Sequence, residues 1–421
     1  MRVVKVIKGK TMKLYDVIGI GFGPANLALA IALQEQNKLS DRVCFIEKQQ
    51  DFLWHGGMLL DNTTMQISFL KDLVSLRNPT SHFSFINYLH HNKRLDNFIN
   101  LKTFYPSRHE FNDYLGWAAS HFRDHCHFGE QVCGVEPVLL DGQVDHLKVI
   151  SRDNEGQQSV RLTKHLVVSV GGSAKVPAPF SALQDADNVW HSSQYLHNKD
   201  KVKDGDRVAV IGAGQSGAEI FADLAAMTEQ PAVDMIMRAG AMKPADSSPF
   251  VNEIFDPSFT DVVFSKSSEQ KDRYFNEFRS TNYSVVDEPL IDHIYASLYQ
   301  QKLNGTDRLA IRNRTSVNGA SINAQGKVVL ELESVHGVSQ VEYDQLVLAT
   351  GYQYPSRSPL LEQVSEWLQP NITRQYQLET SDQFKPKIFT QGVNEQTHGI
   401  SDSLLSILAV RSAEIVDALE L

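Results

Sequence analysis

Cysteine is scarce in this 421-residue chain: Cys44, Cys126 and Cys133 show neither CxxC nor zinc-type spacing. This excludes a disulfide framework, a dithiol redox centre and a structural zinc, and it fits a reducing cytoplasm. Long apolar runs are lacking as well. No stretch approaches the roughly 20 residues of a membrane span. The basic N-terminus "MRVVKVIKGKTMKLYDV" has only "VVKVI" as an apolar stretch, too short and too interrupted for a secretory signal. Residues 1–13 read as a loose extension, with Met12 available as a second start. Positive charge is in deficit, the formal net charge being −10, which argues against nucleic acid as the main partner. Repeats and low-complexity tracts are absent. "HCHFGE" carries metal-ligand residue types without partner ligands, so no metal site is expected.

The composition is that of a soluble globular protein, 42% hydrophobic and 21% charged, and the length suits two or three domains. The first unit opens with "YDVIGIGFGPANLALAIAL": a short β-rich run, a glycine turn and a small-residue helix. Gly21, Gly23 and Asn26 occupy the places of a G-x-G-x-x-G fingerprint, with asparagine third. The first glycine permits the tight turn, the second lets backbone approach a pyrophosphate, and the helix N-terminus supplies amide donors. Pro24 opens that helix. Glu47 ends the next strand, "RVCFIEK", 26 residues after Gly21, where an acid accepts ribose hydroxyls.

About 190 residues later the pattern recurs as "VAVIGAGQSGAEIFADL". Gly212, Gly214 and Gly217 match the full fingerprint, with Gln215 and Ser216 at the helix start. Its second strand ends in Arg238 rather than an acid, again 26 residues after the first glycine. An arginine there accepts a 2′-phosphate that an acid would repel, so the second site reads as NADPH-binding. Two dinucleotide sites are redundant unless one cofactor reduces the other. FAD at the first and NADPH at the second is the economical assignment.

The chain then resembles the flavin-dependent N-hydroxylating monooxygenases of siderophore biosynthesis, and most nearly the L-ornithine N5-monooxygenases. The resemblance is carried, in order, by "GFGPANLALA", "WHGGMLL", "QISFLKDLVSLRNPTSHFSFINYL", "NLKTFYPSRHEFNDYLGWAA", "GAGQSGAE", "PFVNEIFDP", "STNYSVVD", "VLATGY" and "THGISDSLLS". It implies that Lys71 binds a substrate α-carboxylate and that Asn252 holds the amino-acid head. Asn282 would lie near the amine and the nicotinamide, and Gln66 would line the flavin–nicotinamide site; these two are the catalytic candidates. Trp54 and His55 are expected to pack beside the flavin. Ser403 and Leu404 would start a helix whose dipole faces the flavin, completing FAD contacts at Gly21, Gly23, Pro24, Asn26, Glu47 and Gln66. "VWHSSQYL" lacks the upstream F-x-G of the broader flavin monooxygenases, and His191 receives no role.

The expected fold is α/β, with two Rossmann-like domains and a small, mostly helical substrate region. The expected boundaries are 14–170 and 345–421 for FAD, 171–245 and 300–344 for NADPH, and 246–299 for substrate. The implied reaction passes through a C4a-hydroperoxide of reduced flavin, attacked by a neutral amine. L-Ornithine is the expected substrate, to give N5-hydroxyornithine. Histamine, L-lysine, putrescine and cadaverine are the alternative amines. A flavin NADPH oxidase without oxygen transfer and a nucleotide-binding redox sensor are the competitors of other classes. No membrane partner is expected, and a dimer or tetramer is a family-level expectation.

Overall fold

A computed structural model describes residues 6–7, 10–228, 230–355 and 357–421. Most of the N-terminal extension therefore lies outside the described residues; within it Val6–Ile7 pairs antiparallel with Lys10–Thr11.

Two sheets organise the chain, as the two glycine patterns imply. The first has seven strands. At its centre Leu14–Ile20 pairs in parallel with Val43–Glu47 on one side and Gln158–Val168 on the other. "LYDVIGI" is almost continuously apolar because both faces are covered; Val17 and Ile18 are fully buried. The helix Pro24–Glu35 follows immediately. Its alanines let it sink into the core, with every residue from Asn26 to Leu33 buried. It packs against the last helix, Leu408–Leu419.

The second sheet is five-stranded and parallel, in the order Val189–His191, Gln345–Leu348, Arg207–Ile211, Ala232–Ile236 and Leu309–Arg312. The helix Gln215–Ala225 covers it. A three-stranded antiparallel sheet within residues 316–343 packs on its flank through Val328, Leu330 and Leu332.

Three expectations are corrected here. The strand of "LVLATGY" does not return to the first sheet but sits between two strands of the second. The chain rejoins the first sheet later, where Lys387–Thr390 pairs in parallel with Gln158–Val168. Both strands are buried, parallel and apolar, so composition could not say which sheet would take them. Helix Glu288–Leu303, placed with the substrate region, puts Ile294 into the core of the second unit, with Leu290, Ile291 and Leu298 against it. Finally, no regular helix starts at residues 403–404. Two short 3-10 turns, Ile400–Ser403 and Leu405–Ile407, precede a helix that begins at Leu408.

Candidate active site

The first glycine turn is held from inside. Gly21 has φ +83°, and a Cβ there would fall 2.5 Å from the Ser169 carbonyl oxygen, so only glycine fits. Gly23 faces open space, with nothing within 4 Å of a Cβ position. That is what the close approach of a pyrophosphate requires. Asn26 points the other way. It is fully buried and donates Nδ2 to the Gly21 carbonyl at 2.7 Å. Its Oδ1 accepts from Ser169 Oγ (3.0 Å) and Gln391 Nε2 (3.1 Å). The Asn26 side chain thus braces the turn from within. The brace runs on into the C-terminal segment. Arg411 donates to Gln391 Oε1 and pairs with Asp402 at 3.0 Å, both charges being almost wholly buried. Sequence reading missed Gln391, Asp402 and Arg411 because nothing local marks a buried network. Glu47 is buried at its strand end, accepting the amides of Phe22 (2.7 Å) and Gln49 (2.9 Å). A carboxylate retains further acceptor sites beyond those two.

The second turn repeats the geometry. A Cβ on Gly212 would lie 2.2 Å from the Ala349 carbonyl oxygen. Gly217 is the packing glycine: its Cβ position is 3.1 Å from the Gly212 carbonyl oxygen and 3.3 Å from Met235 Cε. It therefore serves helix–strand contact, not a ligand.

Between the units lies a cavity of about 2520 Å³, larger than the roughly 300–1,000 Å³ of a single small-molecule pocket. Trp54, His55, Gln66, Lys71, Gly212, Gly214, Gln215, Ser216, Arg238, Asn252, Asn282, Ser403 and Leu404 all line it. Gly21, Gly23, Pro24, Asn26, Glu47 and Gly217 do not. The sequence-derived set thus divides into a cavity wall and a turn behind it.

Two of the glutamines meet. Gln66 Nε2 donates to Asp287 Oδ1 at 3.0 Å and Gln215 Nε2 to Asp287 Oδ2 at 3.1 Å. The Asp287 amide donates back to Gln215 Oε1 at 2.8 Å. Asp287, unnoticed in the sequence, joins the residue expected at the flavin to the residue expected at the pyridine nucleotide. Behind it Gln215 also donates to Glu219, which forms a two-pronged ion pair with Arg108 at 2.8 Å. Burial pushes the Glu219 carboxyl up, against the pull of Arg108. Burial and Arg108 together hold the His55 imidazole below its ordinary value, so it favours the neutral form.

At the other end Lys71 stands 3.7 Å from Asp256, a loose pairing that leaves the ammonium able to exchange partners. Asn252 donates Nδ2 to the Ser247 carbonyl at 2.9 Å, fixing the turn that leads into its own helix. Asn282 ends the helix Ser268–Asn282, and its side-chain amide has no hydrogen-bond partner among the described residues. Its neighbour Tyr283 donates a short hydrogen bond to Glu395. Burial raises the Glu395 carboxyl more than that bond lowers it. His191 is pinned between the Gly351 carbonyl and Ser193 Oγ, each at 2.9 Å, a structural role.

Residues 13–354 match the family described as L-lysine 6-monooxygenase/L-ornithine 5-monooxygenase. An L-ornithine N(5)-monooxygenase of Pseudomonas aeruginosa is 48% identical over 417 residues, covering 97% of this chain and 94% of its own. The solved ornithine hydroxylase from Pseudomonas aeruginosa superposes with TM-score 0.92 at 49% identity, covering 97% and 99% of the two chains. An ornithine N-hydroxylase of Kutzneria sp. 744, solved with reduced FAD, NADP⁺ and L-ornithine, gives TM-score 0.91 at 37% identity over 97% and 99%.

Proposed function

Because the chain belongs to the L-lysine 6-monooxygenase/L-ornithine 5-monooxygenase family, we propose that it hydroxylates the side-chain amine of L-ornithine. It uses FAD, NADPH and O2, and its product is N5-hydroxyornithine for a hydroxamate siderophore. One observation carries this reading. A single cavity is walled by the NADPH-type turn, an exchangeable lysine and an unpartnered asparagine amide.

In this reading Gly23 and the helix start at Pro24, with Glu47, hold FAD. Gly214, Gln215, Ser216 and Arg238 hold NADPH. Bound together, the two cofactors supply the hydride transfer and the oxygen activation. The chain's own residues do the rest. Lys71 fixes the substrate carboxylate and thereby selects an amino acid over a diamine, while Asn252 orients the head. Asn282 offers a neutral amide to the reacting amine. A free alkylammonium titrates near 10.4, so it must lose a proton before it can act as a nucleophile. Asn282 orients the amine without adding a charge of its own. Glu395, which lines the same cavity and whose Oε2 accepts from Tyr283, is the group assigned to take that proton. Asp287 keeps Gln66 and Gln215 in register across the two units.

The test is direct. The purified yellow protein is assayed for hydroxylated product with ornithine, lysine, histamine, putrescine and cadaverine, under NADPH and under NADH. Product from ornithine with NADPH is expected. Product only from a carboxylate-free amine overturns the substrate assignment, and stoichiometric peroxide with every amine overturns oxygen transfer. The exposed apolar side chains Tyr295, Tyr299 and Leu303, four apart on one helix, support assembly as a homo-oligomer, which light scattering checks. Three free cysteines support a reducing cytoplasm as its compartment. Among the described residues no helix is long and apolar enough to cross a membrane.

A further inference from the structure

The second sheet ends, on the side of the Gly212 turn, in three arginines, two of them far from the third in sequence. Arg238 follows the strand Ala232–Ile236, and Arg312 and Arg314 end and follow the neighbouring parallel strand Leu309–Arg312. The two strand ends are laced together. The Met237 amide donates to the Arg312 carbonyl (3.0 Å), the Arg314 amide to the Ala239 carbonyl (3.0 Å), and the Thr315 amide to the Met237 carbonyl (3.0 Å). Asn313 Nδ2 donates to the Gly240 carbonyl at 2.8 Å.

The three guanidinium groups have different fates. Arg312 Nε is bound to the buried Asp234 at 2.9 Å, an acid also used by Arg207 and Tyr343. Arg312 is therefore committed to the fold. Arg238 and Arg314 are exposed, and neither has a side-chain hydrogen-bond or ion-pair partner among the described residues. Arg314 is nevertheless placed, not loose. Its backbone takes φ +48°, and its side chain lies over Gly240, where a Cβ would meet Nε at 3.2 Å and Nη2 at 3.7 Å. The guanidinium thus lies beside the loop that carries Arg238. Thr315, next to it, lines the same cavity as Arg238, and Arg314 itself stands just outside that lining.

A phosphate monoester carries about −1.5 to −2 charges near neutral pH. One guanidinium fork leaves part of that charge and at least one oxygen unanswered. In a dinucleotide fold the adenosine ribose lies at the end of the second strand, which here is the Arg238 strand. We infer that Arg314 is the second cation of the 2′-phosphate site, closing on the phosphate from the adjacent strand while Arg238 holds it from its own. The inference rests on the NADPH reading above and adds a residue that sequence spacing does not indicate. Arg314 is 102 positions after Gly212, far outside the fingerprint's reach.

The experiment compares kcat/KM for NADPH and NADH in the wild type, Arg314→Asn, Arg238→Asn and a remote control, Arg152→Ala. Asparagine is chosen at 314 because it tolerates positive φ. Flavin content and Tm are read for each. Arg314→Asn is expected to lower the NADPH-to-NADH ratio about tenfold or more, as loss of a charge-assisted hydrogen bond predicts. It should also weaken inhibition by 2′,5′-ADP far more than inhibition by 5′-AMP. The Arg152→Ala ratio should stay at the wild-type value. If Arg314→Asn loses flavin, the comparison passes to Arg314→Lys, which keeps the charge but not the fork and must lower the ratio at least about threefold. An unchanged ratio in the 314 variants, beside a reduced one in Arg238→Asn, overturns the inference and leaves the NADPH reading standing. A wild type indifferent between the two nucleotides removes both at once.

Discussion

Lys71 shows how little a single charge says by itself. In sequence it is a lysine behind two apolar residues; in the fold it is a cation paired only loosely, at 3.7 Å, at the wall of a shared cavity. Lys71→Ala should raise KM for ornithine by about tenfold or more while leaving the rate of flavin reduction by NADPH nearly unchanged. Stopped-flow reduction and steady-state hydroxylation separate the two. A diamine lacks the carboxylate, so its KM should move little. Glu395 poses the complementary question. Its carboxyl is raised by burial above the ordinary value of 4.5, so a base at this position is lost as pH falls through that raised value. Glu395→Gln should lower kcat by about a hundredfold and remove the acidic limb of the kcat profile. An unaltered limb would assign the proton to another group. Glu395 was not legible in the sequence, because a glutamate after Asn394 carries no motif; only its contact with Tyr283 gives it meaning.

Among the elements, the helix start at Arg108 and the helix Gln215–Ala225 are joined by a nearly buried ion pair, Arg108–Glu219. Removing one partner strands a charge. Arg108→Met should cost about 3–5 kcal/mol, read as a lower denaturation midpoint. Arg108→Met with Glu219→Leu should recover most of that loss while slowing hydride transfer, since Glu219 also receives Gln215. A double mutant as unstable as the single would show that the pair is not the source of the cost. The helix Gln215–Ala225 was readable from its glycine turn. The ion pair was not, because it joins positions 111 apart in the sequence.

For the whole molecule, FAD held across the first turn should stabilise the native state by mass action. At about one hundred times its dissociation constant a ligand adds about 2.7 kcal/mol. Flavin-stripped protein should therefore melt lower and recover its Tm on addition of FAD, whereas NADPH alone should restore less. Equal melting with and without FAD would remove the cofactor from the first site. The return of the chain to the first sheet at Lys387–Thr390 makes that domain discontinuous, so its melting should be a single transition with the C-terminal helix.

The glycine turns, the arginine that replaces an acid, and the order of the family segments were settled by the sequence alone, because each depends on local backbone geometry or on residue type at short spacing. The glycine turns indicated two dinucleotide folds, and the resemblance carried by the family segments implied the class of chemistry. The tertiary structure decided what depends on long-range neighbours. It moved Gln345–Leu348 into the second sheet and bonded the Asn26 side chain to its own turn. It also brought Gln66 and Gln215 onto Asp287 and set Arg314 beside the Arg238 loop. Strand pairing and buried polar networks are chosen by which partners satisfy every hydrogen bond at once, and no window of sequence contains those partners together.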